Sequence, residues 1–467
     1  MGPVALLAMV IPVALFIGVA AAVLPAKFTL ALLFLPVFLI VAWTSPVTAF
    51  LALIAVIYGV LPAALVPQLP IGGGRFQASD LALLGLLAAH AVRFGPALPS
   101  IWRSMRPVLL PVGGLLLLAV VSFAVALLYF QNPAKHVLAE ARYFLYWLVL
   151  PLALAVASSD ERRYRAMTLG LLVIAYLIST GLVVQHLTGI DLLGGGRTEA
   201  LITLDQTSDV TRTTSPGIFL VVFAILYLLA RWLSGRVALP WAALLVMPLV
   251  AGLLVTFGRA VWFAALVGAL VVAASMGWRA FARFLLVGSL LSAVLFATLW
   301  VVRPQTAEAV VDRATSIRRE VSVGSSFEWR VIETQHALKN IARNPLIGVG
   351  LGGFNHPSFH ARMDENLRRY VHNGYLYLAV KLGLVSLVLL ALLIWRCLVW
   401  LHQDRQAARA GPAQAYPERR AYLGAFMAVV VAAFTQPQWM YGPGVAFVAL
   451  MLAMVLASQQ LERQVRA

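Results

Sequence analysis

Apolar runs of about 20 residues recur along nearly the whole of this 467-residue chain. A run of that length is what an α-helix needs to cross the roughly 30 Å hydrocarbon core of a bilayer. The runs are continuous rather than alternating, which excludes the short two-residue-repeat segments of an outer-membrane barrel. A soluble enzyme is excluded too, because 62% of the residues are hydrophobic and 11% charged, against roughly 45–50% and 25% in an ordinary domain. The runs predict spans near 4–24, 28–43, 47–66, 80–92, 107–129, 144–157, 167–187, 216–230, 238–256, 260–277, 284–302, 373–400, 422–436 and 443–458. That is about fourteen crossings, or twelve if the short runs 80–92, 144–157 and 422–436 include a re-entrant pair. The expected fold is an all-α integral membrane protein of about 12–14 transmembrane helices with one long, partly helical outer loop. Its parts are N-terminal helices over 1–302, the loop over 303–371 and C-terminal helices over 372–467, all one membrane domain. The first 25 residues carry no Lys or Arg ahead of their apolar run and read as a span rather than a cleavable signal.

The formal net charge of +17 resides almost wholly on arginine, since the only lysines are Lys27, Lys135, Lys339 and Lys381. The arginines are spread between spans and form no basic domain, so topology and anionic lipid substrates account for them better than nucleic acid does. Clusters such as Arg93/Arg103/Arg106, Arg162/Arg163/Arg165, Arg231/Arg236, Arg279/Arg283, Arg405/Arg409/Arg419/Arg420 and Arg463/Arg466 fall on alternate connections. The positive-inside rule makes that side cytoplasmic and puts both termini there. The single cysteine, Cys397, excludes an intrachain disulfide and any multi-cysteine metal site.

Two connections on the outer side, about 189–215 and 303–371, are much longer than the rest, and long loops in compact domains usually carry function. In the larger, Ser325 and Glu328 form a capping-box pattern, and Phe327, Val331, Leu338 and Ile341 mark one apolar face up to Asn344 and Pro345. An amphipathic helix over the membrane domain is predicted. A second helix is expected to start at Pro357 and to run through Arg362, Asp364, Glu365, Arg368 and Arg369 straight into the span after His372.

That places His372 at a water–lipid boundary, where the helix dipole, with Arg368 and Arg369 one turn earlier, disfavours a protonated ring. A neutral imidazole there can accept a proton; the same position also suits a residue that only caps the helix or anchors it at the headgroups. Arg259 interrupts the apolar stretch TFGRAVWFAAL, where charge is costly and marks either function or a side chain snorkelling to headgroups. Arg330 beside Trp329, and Arg142 at the outer start of the sixth span, are further candidates for a pyrophosphate clamp, since the planar guanidinium fork suits phosphate oxygens. The alternatives are a solvated helix face pairing Arg330 with Glu333 or Glu328, and a salt bridge from Arg142 to Glu140 or another neighbour.

The run PLIGVGLGGF, with Gly348 and Gly350, lets backbone approach a ligand and offer amide donors, or makes a tight turn between loop helices. It follows no predicted strand and lacks a P-loop lysine, so no nucleotide fold is expected. His356 and His360 are four apart, but Pro357 stands at the glutamate position of HExxH and no third ligand is obvious, so no metal is expected. Lys381, nine residues into its span, needs a partner or a water-filled cavity.

FGRAVW around Arg259, EWR…NPLIGVGLGGF from Glu328 to Phe354, and VHNGYLYLAVKLG from Val371 occur in that order. Over roughly 250–400 the chain resembles the bacterial O-antigen ligase and O-antigen polymerase superfamily. The resemblance implies a GT-C-like glycosyltransferase of the bacterial inner membrane, needing neither cofactor nor metal, with its active site facing the periplasm. It implies transfer of a glycan from undecaprenyl diphosphate to lipid A–core, with inversion and with no obligatory protein partner. His372 matches the family's catalytic histidine, Arg259 and Arg330 match arginines associated with the donor, and Arg142 is a weaker carry-over. Asn373, Gly348 and Gly350 fall within the matching motifs as supporting residues. Lys381 departs from the pattern, which has an acidic residue there in many relatives. An O-antigen polymerase or a protein O-oligosaccharyltransferase fits the same motifs. A lipid or sugar transporter is the reading from another class, although the repeated halves of many transporters are missing.

Overall fold

Each long apolar run within the described residues becomes helix. The computed structural model describes residues 38, 40–62, 65–66, 68–71, 74–95, 98–202, 207–315, 326–358, 365–410 and 417–466. The chain runs through α1 (Pro46–Ile57), a hairpin of β1 (Gln68–Ile71) and β2 (Gly74–Gln77), α2 (Ala78–Arg93), α3 (Leu98–Leu128), α4 (Ala134–Leu145), α5 (Val149–Ala157) and α6 (Glu161–Thr188). A second hairpin, β3 (Arg197–Ile202) and β4 (Thr207–Thr214), precedes α7 (Ile218–Leu233), α8 (Leu239–Leu254), α9 (Arg259–Ser275) and α10 (Trp278–Val302). The loop region carries α11 (Pro304–Thr315), α12 (Ser326–Arg343) and α13 (Glu365–Arg369), followed by α14 (Gly374–Leu382), α15 (Val385–Ala410), α16 (Pro417–Ala432) and α17 (Gly442–Arg466).

Among the described residues, six helical stretches are long and apolar enough to cross a bilayer: Leu98–Leu128, Ala134–Ala157, Glu161–Thr188, Trp278–Val302, Val385–Gln406 and Gly442–Gln464. Helices α1, α7, α8 and α9 are apolar but shorter. This is an all-α integral membrane protein, as the hydropathy pattern predicts; the expected span at 4–24 and most of 28–43 lie outside the described residues. Helix α17 fills the centre of the bundle, with every residue from Val445 to Leu456 no more than 2% exposed. Small residues bring α9 and α16 together, because a Cβ at Gly268 would lie 3.0 Å from the Gly424 carbonyl oxygen. By contrast, α10 has no buried residue.

The two ends of the bundle differ in character. The Gly374 amide donates to the Ala433 carbonyl at 2.8 Å, so the start of α14 meets the end of α16. At the opposite end, where α16 begins, Glu418 pairs with Arg231 and Arg236 at 3.4 and 3.3 Å, and Arg419 pairs with Asp404 and Glu462 at 3.1 and 2.7 Å. Arg231, Arg236 and Arg419, from two of the arginine clusters that alternate along the sequence, therefore meet at the end away from His372.

Four expectations change. The span at 373–400 is two helices, broken where Gly383 takes φ +83°. The chain after α12 crosses there: the Leu384 amide donates to the Pro345 carbonyl at 2.8 Å, and a Cβ at Gly383 would strike the Leu346 carbonyl. The short run 144–157 is the second half of a 24-residue stretch, Ala134–Ala157; the polar residues of α4 mask the first half. The long connection at 189–215, left without elements by its polar sequence, holds the β3–β4 hairpin, built on Thr-rich, β-branched sequence. Finally, α12 is rolled about its axis. Glu333, Ala337 and Ile341 face inward, while Val331 and Leu338 are 38% and 53% exposed. Ser325 and the Phe327 side chain lie outside the described residues, as do Arg362 and Asp364, and Pro357 is not helical.

Candidate active site

The site is built at the end of the bundle where α12 lies over α14. Asn373 is the N-cap of α14: its Oδ1 accepts from the amides of Tyr375 and Leu376 at 3.0 and 3.1 Å. It thereby satisfies two of the orphan donors at a helix start. His372 precedes that cap, is 36% exposed, and packs edge-on against Tyr370 with ring centres 4.8 Å apart.

Inward-facing Glu333 reaches His372 from above. Its Oε2 lies 2.7 Å from the ring Nδ1 and 3.1 Å from the backbone nitrogen of His372. A carboxylate that accepts from Nδ1–H assigns the proton to Nδ1 and leaves Nε2 as the lone-pair nitrogen. This partner was not anticipated, because the exposed apolar positions of α12 suggest a different inward face. Arg368 and Arg369, expected beside the ring, are engaged elsewhere. Arg368 lies 4.1 Å over the Phe354 ring, and Arg369 Nη1 lies 3.9 Å from Glu140 Oε1.

Arg259 is the first residue of α9, following the turn at Phe257, whose φ of +46° is unusual for a bulky residue. Burial of the Phe257 ring against Ala309 and Trp262 holds that conformation. Arg212 of β4 donates from Nε to the Thr256 carbonyl at 3.1 Å in the same turn. Burial lowers the Arg212 pKa, and the charges of Arg259, Arg330 and Arg197 lower it further, against the opposing pull of Glu199. Guanidinium groups from β3, β4, α9 and α12 thus share one neighbourhood. Arg330 links it to the histidine: it stands one helical turn before Glu333, and its charge also acts on Tyr370. Arg197 and Arg212 are not among the residues the sequence motifs point to; the signal for them is two arginines in the other long connection, 189–215.

The remaining candidates are placed differently. Arg142 Nε lies 3.6 Å from Asp80 Oδ2, and that buried carboxylate also accepts from Tyr146 Oη at 2.7 Å. Gly348 and Gly350 adopt φ of +64° and +74° and wedge the loop against α14 and α3. The amides in this run are taken by protein acceptors: Val349 by Val380 O at 2.7 Å, Leu351 by Ser122 Oγ at 3.1 Å, and Gly352 by Glu140 Oε2 at 2.7 Å. Lys381 is fully buried, 3.1 Å from Glu140 Oε1, and donates to the Gly353 carbonyl. Its partner therefore lies on α4. His360, half of the paired-histidine motif, lies outside the described residues.

No curated protein matches the chain. Residues 247–391, which run from α8 through the arginine turn, α12 and His372 into α15, match the family model described as O-antigen ligase. Over those residues, about a third of its length, the chain is similar to the O-antigen ligase family.

Proposed function

We propose that this protein is a metal-independent glycosyltransferase that moves a glycan from undecaprenyl diphosphate to lipid A–core at the periplasmic face of the inner membrane, with inversion at the anomeric carbon. His372 Nε2 takes the proton of the acceptor hydroxyl as that oxygen bonds to the anomeric carbon and the bond to the diphosphate breaks. Glu333 holds the ring with Nδ1 protonated and faces the positive charge that forms, the orienting role a carboxylate plays behind a catalytic histidine. Arg259 and Arg330, with Arg212 beside them, hold the diphosphate and neutralise the charge developing on it. No covalent glycosyl-enzyme is needed, because a diphosphate is already a good leaving group. Arg142, Gly348 and Gly350 act on this reading as supports: Arg142 braces α4 against α2, and the glycines seat the loop.

The observation that carries the reading is the Glu333–His372 pair joined through Arg330 to a cluster of arginines. Purified protein incubated with lipid-linked glycan and, separately, with lipid A–core or with lipid-linked repeats tests it. Glycan on lipid A–core in the absence of any membrane gradient is the expected product. Elongation of the repeats alone would make the protein a polymerase, and transfer to neither would remove the proposal.

A further inference from the structure

A cavity of about 390 Å³ lies along the last turns of α12, walled by His336, Lys339 and Arg343 of that helix, by Asn355 and His356, and by Arg368 of α13. That volume is within the range of small-ligand sites. Among the described residues that line it there is no carboxylate, while Lys339, Arg343 and Arg368 bring permanent positive charge to it. A cation in the last turn of a helix complements the helix dipole, which would suffice for Arg343. Arg368 arrives from the short helix α13, too short for much of a dipole, with its guanidinium carbon 4.1 Å over the centre of the Phe354 ring. The Arg368 Nε is buried and has no hydrogen-bond partner among the described residues. Converging like charges in a concave wall favour an anion there.

The cavity is fastened to the candidate active site. Asn355 Nδ2 donates to the Glu333 carbonyl at 3.2 Å, and Asn340 Nδ2 donates to the Asn355 carbonyl at 2.7 Å. Arg343 follows Glu333 by ten residues on one helix, about 15 Å at 1.5 Å per residue. The cavity thus begins about one turn beyond the residue that holds His372 and extends away from it. Burial and the nearby Lys339 and His356 lower the His336 pKa, which leaves that ring neutral at pH 7.

We propose that this cavity is a subsite for a phosphate group carried by the acceptor saccharide, gripped by Lys339, Arg343 and Arg368 while the accepting hydroxyl lies at His372. The inference rests on the transfer reaction proposed above. Lys339 and Arg343 are exposed, so their replacement leaves the fold intact. The test compares full-length protein with the Lys339→Gln/Arg343→Gln double variant, using lipid A–core before and after phosphatase treatment. Loss of two charge-assisted contacts should raise the acceptor KM about tenfold or more, with kcat and the donor KM unchanged. Phosphatase-treated acceptor should show the raised KM on the wild type and no further rise on the variant. A rise in the donor KM, or an equal loss with both forms of acceptor, would overturn the subsite. A second arm, independent of turnover, titrates a soluble hexose phosphate and, separately, vesicles of anionic phospholipid. Hexose phosphate bound by wild type and lost in the variant supports the subsite even if no transfer is found. Binding to vesicles alone would make the cavity a lipid-headgroup contact and overturn the proposal.

Discussion

One oxygen of Glu333 accepts both the ring Nδ1–H and the backbone N–H of His372, at 2.7 and 3.1 Å. The acid and the histidine come from separate elements, so ring orientation depends on how α12 seats over the start of α14. Replacing Glu333 with Gln preserves the volume but removes the charge facing the imidazolium. A fall in kcat of about 10²-fold with little change in donor KM is expected, since a positioned base contributes about 10²–10⁴-fold. Single-turnover kinetics checks it, with His372→Ala as the floor; wild-type kcat in the variant would sink the orienting role.

Arg259→Lys retains a positive charge but loses the two-pronged fork. Donor KM should rise about tenfold or more, the loss of a charge-assisted contact. Arg142→Lys should leave donor KM near that of the wild type, because Asp80 holds that guanidinium. Titration with polyprenyl diphosphate separates the two, and equal effects would place Arg142 in the donor site.

Buried Lys381 and Glu140 answer each other across 3.1 Å. Lys381→Met alone leaves a buried carboxylate without its ammonium and should cost about 3–5 kcal/mol. The double variant Lys381→Met/Glu140→Gln should recover part of that, because the amide oxygen still accepts from Gly352 N while the amide NH2 donates to Tyr377 Oη. Thermal unfolding in detergent reads both; an unaffected single variant would show the pair to be dispensable.

Gly348→Ala forces a Cβ into the Val380 carbonyl at a φ of +64°. The expected loss of more than about 1 kcal/mol reflects strain and collision together. Gly189, with φ +72° and nothing near its missing Cβ, supplies the contrast and should lose less in a parallel melting experiment.

Lys135, by hydrogen bond and charge, holds the Glu365 pKa below its usual value. Because the folded value is the lower one, the contact stabilises α13 fully above the ordinary carboxylate pKa of about 4.3 and loses that contribution as pH falls through the depressed value. Protection from hydrogen exchange over 365–369, taken relative to the intrinsic amide rate at each pH, should therefore fall below about pH 4 in the wild type, and be already lower at pH 7 in Glu365→Gln. Equal rates at pH 7 would show that this tie does not hold the helix.

Arg259 and His372 could be picked from the chain because a charged or titratable group amid hydrocarbon is costly and conspicuous. The helices were legible for the same reason, through long unbroken apolar runs. Glu333 was not: Val331, Leu338 and Ile341 advertise an apolar face on α12, whereas packing keeps only Ile341 of these inward and turns in the adjacent stripe through Ala337 and Glu333. The partner of Lys381 was equally hidden, since nothing local ties it to a glutamate on α4. The break at Gly383 depends on a segment nearly forty residues earlier crossing over it, and such tertiary contacts leave no mark on hydropathy.

Helix α14 is a short beam clamped at both ends, by α16 at Gly374 and by the glycine run at Val380. For the transfer proposed above, a pull along the donor's glycan would have little leverage on a ring mounted beside the first clamp, and the expected consequence is a reacting geometry independent of glycan length.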